Sequence, residues 1–89
     1  MKYLNWNSEK NELLKKERGI SFEIMAFQIE VGNILDVIDH PNPDKYPGQR
    51  IFVIDFEEYA SLVPFVENDD EVFLKTIIPS RKATKDYLK

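Results

Sequence analysis

At 89 residues and 43% hydrophobic content, including six Phe, four Tyr and one Trp, the chain has enough apolar side chain for one core and too much for a disordered segment. It has no cysteine, which excludes disulfides and thiolate metal sites, and its net charge of −4 excludes a surface that is basic throughout. A single domain over residues 1–89 is expected, with no membrane span and no apolar h-region in Met1 to Asn7, hence a soluble cytoplasmic protein.

Tyr3, Leu4 and Trp6 suit a short opening strand, after which Asn7 or Ser8 can cap a helix by accepting from its first free amides. That helix should run to about Arg18, pinned by Leu13, Leu14 and Trp6, with Gly19 at its left-handed close. Ser21 can cap a second helix, with Glu23 in its first turn. Phe22, Met25, Ala26 and Ile29 fall at i, i+3, i+4 and i+7, the clearest amphipathic stripe in the chain. Gly32 and Asn33 end it.

Ile34 to Ile38 then reads as a strand, and three prolines with a glycine between His40 and Gly48 predict a loop. From Ile51 to Phe56 both parities are apolar, as in a strand covered on both faces, and Tyr59 to Val66 suits its neighbour. Pro64 cannot donate to a ladder, so it implies an edge or a bulge. Asn68 to Asp70 supplies a hairpin turn, Val72 to Ile78 a returning strand, and Ser80 the cap of a last helix that carries Ala83 and Tyr87 on one face. The expected order is β-α-α-β-β-β-β-α: an α+β domain with an antiparallel sheet, two N-terminal helices and a C-terminal helix.

Charge is distributed unevenly. Asp55 to Glu71 holds seven acids and no cation, whereas Lys75 to Lys89 holds five cations (Lys75, Arg81, Lys82, Lys85, Lys89) and one acid, Asp86. A local balance of +4 in an acidic chain suggests a terminus that meets an anion or an acidic partner.

Three blocks resemble the BrnT family of toxins, relatives of the RelE/ParE ribonuclease toxins. They are Trp6-Asn7 with Lys10-Asn11 and Arg18 to Glu23, Gln49-Arg50 at a strand entrance, and Thr76 to Thr84 followed by Tyr87. Arg18, Thr76 and Pro79 stand where that family has His, Arg and Ser. The resemblance implies a RelE-like fold and the toxin of a type II toxin–antitoxin system. Such a toxin would be a metal-independent ribonuclease with no cofactor that arrests growth, with RNA as substrate and a cognate antitoxin as partner.

RNA cleavage without a metal needs a base for a 2′-hydroxyl, cations for the phosphorane charge and an acid for the leaving oxygen. Arg50, Arg81 and Lys82 are candidate phosphate clamps, and Arg81 would add a helix N-terminus to the same anion. His40 is the natural acid or base. Lys75, Lys45, Tyr46 and Tyr87 are candidate RNA contacts, the tyrosines by stacking on bases or supporting the clamp.

Each role has a plainer rival. Arg50 can salt-bridge Asp36, Asp39 or Asp55, His40 can be an exposed loop histidine, Tyr87 can pack in the core, and Arg81 and Lys82 can be a solvated first turn. A second reading of the whole chain is therefore a non-catalytic module of the same fold whose cationic end docks an acidic protein.

Overall fold

The computed structural model describes residues 2–89. In chain order the elements are β1 (Tyr3–Trp6), α1 (Ser8–Arg18), α2 (Phe22–Glu30), β2 (Ile34–Asp39), β3 (Arg50–Phe56), β4 (Tyr59–Glu67), β5 (Glu71–Leu74), β6 (Ile78–Pro79) and α3 (Arg81–Leu88). The α+β class is as expected. The sheet order is β1-β5-β4-β3-β2, with β6 also pairing β4.

Helix boundaries follow the caps. Asn7 accepts from the Lys10 amide, Ser21 from the Ile24 amide and Ser80 from the Ala83 amide, each satisfying an amide that the first helical turn leaves free. Gly19 closes α1 at φ 66°, a left-handed conformation that a Cβ would disfavour. On α1, Leu14 is buried but Leu13 is 48% exposed. The expected pair of apolar anchors is thus a single one, and the second buried residue of the helix is Asn11.

Asn11 explains how two short helices hold together. Its Nδ2 donates to the Glu23 carboxylate at 2.6 and 2.7 Å, while its Oδ1 accepts from the Phe22 amide at 2.8 Å. One side chain therefore satisfies a free amide of α2 and carries the acid of its first turn. Phe22, Met25 and Ala26 bury the expected stripe, and Phe22 stacks on Trp6 with centroids 5.8 Å apart.

Both faces of the sheet are covered, for the reason read in β3. Phe22, Met25 and Leu14 pack against Ile54, Val63, Phe65 and Leu74 on one face. On the other, Ala83 and Leu88 of α3 pack against Val53, Ala60, Ile38 and Leu62. Alternation of side chains sends neighbouring β3 residues to opposite layers, so both must be apolar.

Two expectations are corrected, and one pair of alternatives is decided. The sheet is mixed rather than antiparallel, because β1 runs parallel to β5, Tyr3 opposite Glu71 through Trp6 opposite Leu74. The single strand expected over Val72 to Ile78 is two strands, giving the order β-α-α-β-β-β-β-β-α. Pro64 lies not on an edge strand but in β4, between β3 and β5.

The last two have one cause. Phe65 opposes Leu74 and Leu62 opposes Ile78, so three residues, Lys75, Thr76 and Ile77, stand against two, Val63 and Pro64. The Pro64 carbonyl accepts from the Lys75 amide at 2.8 Å, which shows that the side of Pro64 without a donor faces that same segment. A ladder cannot close there, and the bulge that Pro64 implied appears in its partner. Arg18 fills the gap: its Nη1 donates to the Ile77 carbonyl at 3.0 Å, while the Ile77 side chain is fully buried.

Candidate cationic face of the C-terminal helix

The first turn of α3 is tied to β4 by two hydrogen bonds and braced by two more within the turn itself. The Ser80 amide donates to the Ala60 carbonyl at 3.0 Å, and the Ala60 amide donates to Thr84 Oγ1 at 2.8 Å. Thr84 Oγ1 in turn donates to the Ser80 carbonyl at 2.7 Å, where the Thr84 amide also arrives at 3.0 Å. Ala60 and Thr84 are buried, so the orientation of the helix is set there.

With Ala83 and Leu88 facing the sheet, the polar residues of α3 divide between two flanks. Arg81, Lys85 and Lys89 recur at i, i+4 and i+8, each about 6 Å further along the axis. They overlook a cleft of about 820 Å³ whose opposite wall is Glu58 and Tyr59, the latter 39% exposed. Lys82 and Tyr87 lie on the other flank, with Ile38, Val53 and Leu62. Tyr87 is 40% exposed and its hydroxyl donates to Asp36 Oδ2 at 2.7 Å. That hydrogen bond to a carboxylate raises the Tyr87 phenol above its ordinary value.

None of Arg81, Lys82, Lys85 and Lys89 forms an ion pair among the described residues, and neither do Lys10, Lys16, Arg18, Lys45 and Lys75. What sets the C-terminal four apart is that they fall within nine consecutive residues, with Asp86 as the one acid among them.

The remaining candidates gather at the opposite end of β3. Arg50 opens that strand, with Nη1 3.4 Å from Glu67 Oε1, Nε 3.9 Å from Asp39 Oδ1, and its guanidinium 5.9 Å from the Phe65 ring centroid. Its partners are thus Asp39 and Glu67, not Asp36 or Asp55. Glu67 also holds Lys2 at 2.8 Å, and that contact, ahead of Arg50, keeps its carboxyl below the usual range.

His40 follows β2, its amide donating to the Gln49 carbonyl at 3.2 Å. Its ring meets Tyr46 with centroids 4.4 Å apart, and Lys45 Nζ lies 5.5 Å from the same tyrosine ring. Nδ1 of His40 accepts from the Asn42 amide at 3.0 Å, which leaves Nε2 as the nitrogen free to exchange a proton. Strand alternation puts Arg50 on the face of β3 away from Val53 and α3, with Asp39 as its cross-strand partner.

His40, Lys45 and Tyr46 are thus brought together. Arg81 is not with them: Arg50 pairs with Phe65 and the hairpin closes at Phe56 and Tyr59, so the seven residues of β3 separate Arg50 from the Arg81 cleft by about 20 Å. Lys75 stands apart again, over Phe73 at 5.5 Å and beside Asn7, Lys10 and Leu13 of the α1 end.

Two cations of the cleft, Lys85 and Lys89, were in the sequence only as part of a charge count, although their spacing from Arg81 marks one helical flank. Tyr59 and Glu58 have no signal in the sequence, since only the fold of β4 against α3 brings them to that flank. Among the described residues no group of three or more His, Asp or Glu side chains is placed to share a metal ion. No helix among them is long and apolar enough to cross a membrane.

Comparison with known proteins finds no matching family model, no matching curated protein and no matching solved structure.

Proposed function

We propose that this chain is the toxin of a type II toxin–antitoxin pair, a ribonuclease of RelE-like character that binds RNA along α3 and is neutralised in the cytoplasm by a cognate antitoxin. The observation that carries the reading is the cluster of cations at the C-terminal helix, Arg81, Lys82 and Lys85 in α3 and Lys89 just after it, none of them in an ion pair. Burying them against phosphate releases condensed counterions, the main source of affinity for nucleic acid. The resemblance of Thr76 to Thr84 to the BrnT toxins supports the same reading. His40, whose ring lies against Tyr46 with Lys45 over the same tyrosine, is the acid or base of the proposed reaction. Expression of the wild-type chain without a neighbouring antitoxin should arrest growth, and Arg81→Ala should abolish the arrest while the protein remains folded. Arrest that persists in both Arg81→Ala and Arg50→Ala overturns the assignment of those residues.

A second reading, a non-catalytic module whose cationic helix docks an acidic protein, is favoured by one observation. Arg50 is held by Asp39 and Glu67, at the far end of β3 from Arg81, so the two arginines cannot clamp one phosphate. Purified protein that forms a stable complex with the antitoxin but leaves RNA intact at micromolar concentration supports this reading over the first.

A further inference from the structure

We infer that the cleft between α3 and the β3–β4 hairpin is a subsite for an unpaired nucleotide of single-stranded RNA, with phosphates on Arg81, Lys85 and Lys89 and a base stacked on Tyr59. The inference rests on the RNA reading above and names the form of RNA that this chain takes.

Size and chemistry agree. At about 820 Å³ the cleft is within the range of small-molecule sites, large enough for a nucleotide and its flanking phosphates. Its cations lie in one row along the helix, which suits a chain of phosphates better than a single anion. A tyrosine ring exposed in a cleft that three cations and two acids line is a platform on which a base can stack, and every base has a π-face to offer. Glu58 and Asp86, also in the lining, accept hydrogen bonds and match the N–H and hydroxyl donors of a base and ribose. A run of Asp and Glu has carboxylates for the row of cations but no flat ring for Tyr59. A duplex has phosphates, but its bases are stacked on one another and present no face.

The platform is held before any ligand arrives. Tyr59 pairs with Phe56 across a two-residue turn, Glu57 and Glu58, both in the left-handed region at φ 54° and 62°. The next residue, Ala60, is clamped to Thr84 and Ser80 of α3. The backbone that carries the ring and the cations therefore belongs to one unit, and the freedom lost on binding is that of the exposed Arg and Lys side chains.

The test is fluorescence anisotropy of the full chain with a short labelled RNA, 2′-O-methylated so that it cannot be cleaved, single-stranded or annealed to its complement, over a range of KCl. The single strand should bind more tightly than the duplex. Tyr59→Ala should lose about tenfold in affinity for the single strand, while Tyr59→Phe retains it. Lys85→Ala should lower the slope of log K against log salt by about 0.7, the value for one phosphate contact on a single strand. Equal binding of the duplex, unchanged binding by Tyr59→Ala, or displacement by poly-glutamate as readily as by unlabelled RNA overturns the subsite. If Tyr59→Ala unfolds, Tyr59→Phe and the Lys85→Ala slope decide the matter. Growth arrest is scored separately. Arrest without single-strand preference removes the subsite and leaves the toxin, whereas single-strand binding by a chain that arrests nothing keeps the subsite and removes the toxin.

Discussion

Thr84 Oγ1 lies 2.8 Å from the Ala60 amide nitrogen and is its hydrogen-bond acceptor, which joins the last helix to the first residues of β4. Both residues are buried, so no water can replace the bond. Everything proposed for the cationic face depends on this contact, because it fixes which flank of α3 looks toward Tyr59.

Thr84→Val keeps the shape and removes the acceptor, leaving the Ala60 amide unsatisfied. It should cost about 1–3 kcal/mol, while Thr84→Ser should cost much less because the hydroxyl remains. Urea unfolding followed by circular dichroism measures both. Equal stability of the valine and serine variants would show that the hydroxyl is not what joins the elements.

Asn11→Ala removes three hydrogen bonds at once, stranding the Phe22 amide and releasing Glu23. A loss of about 1–3 kcal/mol is expected, with hydrogen exchange at the α2 N-terminus accelerated more than in the sheet. The bond from Asn11, more than Lys15, holds the Glu23 carboxyl below its ordinary range, so the Glu23 titration in the variant should move upward.

Glu57 and Glu58 occupy a hairpin turn whose backbone favours Asn and Gly, because both positions have positive φ. The double substitution Glu57→Asn, Glu58→Gly should stabilise the fold by about 1 kcal/mol and raise the melting temperature by several degrees. A lower melting temperature would mean that the glutamates make interactions worth more than the strain of the turn.

The pH dependence has opposite signs at the two ends of the sheet. Lys2 and then Arg50 lower the Glu67 pKa, so in acid the unfolded chain takes up its proton first. The contribution of Glu67 is present above its unfolded value and is lost as pH falls through the lower, folded one. Tyr87 is raised by its bond to Asp36, so its contribution is present below the unfolded value of about 10 and is lost as pH rises through the folded one. Glu67→Gln should flatten the acid limb of stability and Tyr87→Phe the alkaline limb. Phenolate absorbance in the folded protein should show one tyrosine titrating late.

Much of the fold was legible because it is made by local interactions. Asn7, Ser21 and Ser80 cap the three helices as their side chains and positions imply, and the Phe22 stripe is buried as its spacing requires. β3 is apolar at both parities because it is covered twice. The break between β5 and β6 was only half legible: Pro64 announced a fault in the ladder, but not that the extra residue would lie in the partner strand. The parallel pairing of β1 with β5 was not legible, since contacts separated by more than sixty residues leave no mark on either segment alone.

The cationic terminus divides in the same way. Charge and capping are properties of neighbouring residues, so the residues alone predict a short helix opened by Ser80 that carries Arg81, Lys82 and Lys85, with Lys89 at its end, in an acidic chain. Which of those cations act together depends on packing. Burial of Ala83 against the sheet and the Thr84 clamp on Ala60 turn Arg81, Lys85 and Lys89 toward Tyr59, send Lys82 to the side of Ile38 and Leu62, and leave Arg50 at the other end of β3. Packing chooses the face of a helix, and packing is settled by partners distant in the chain.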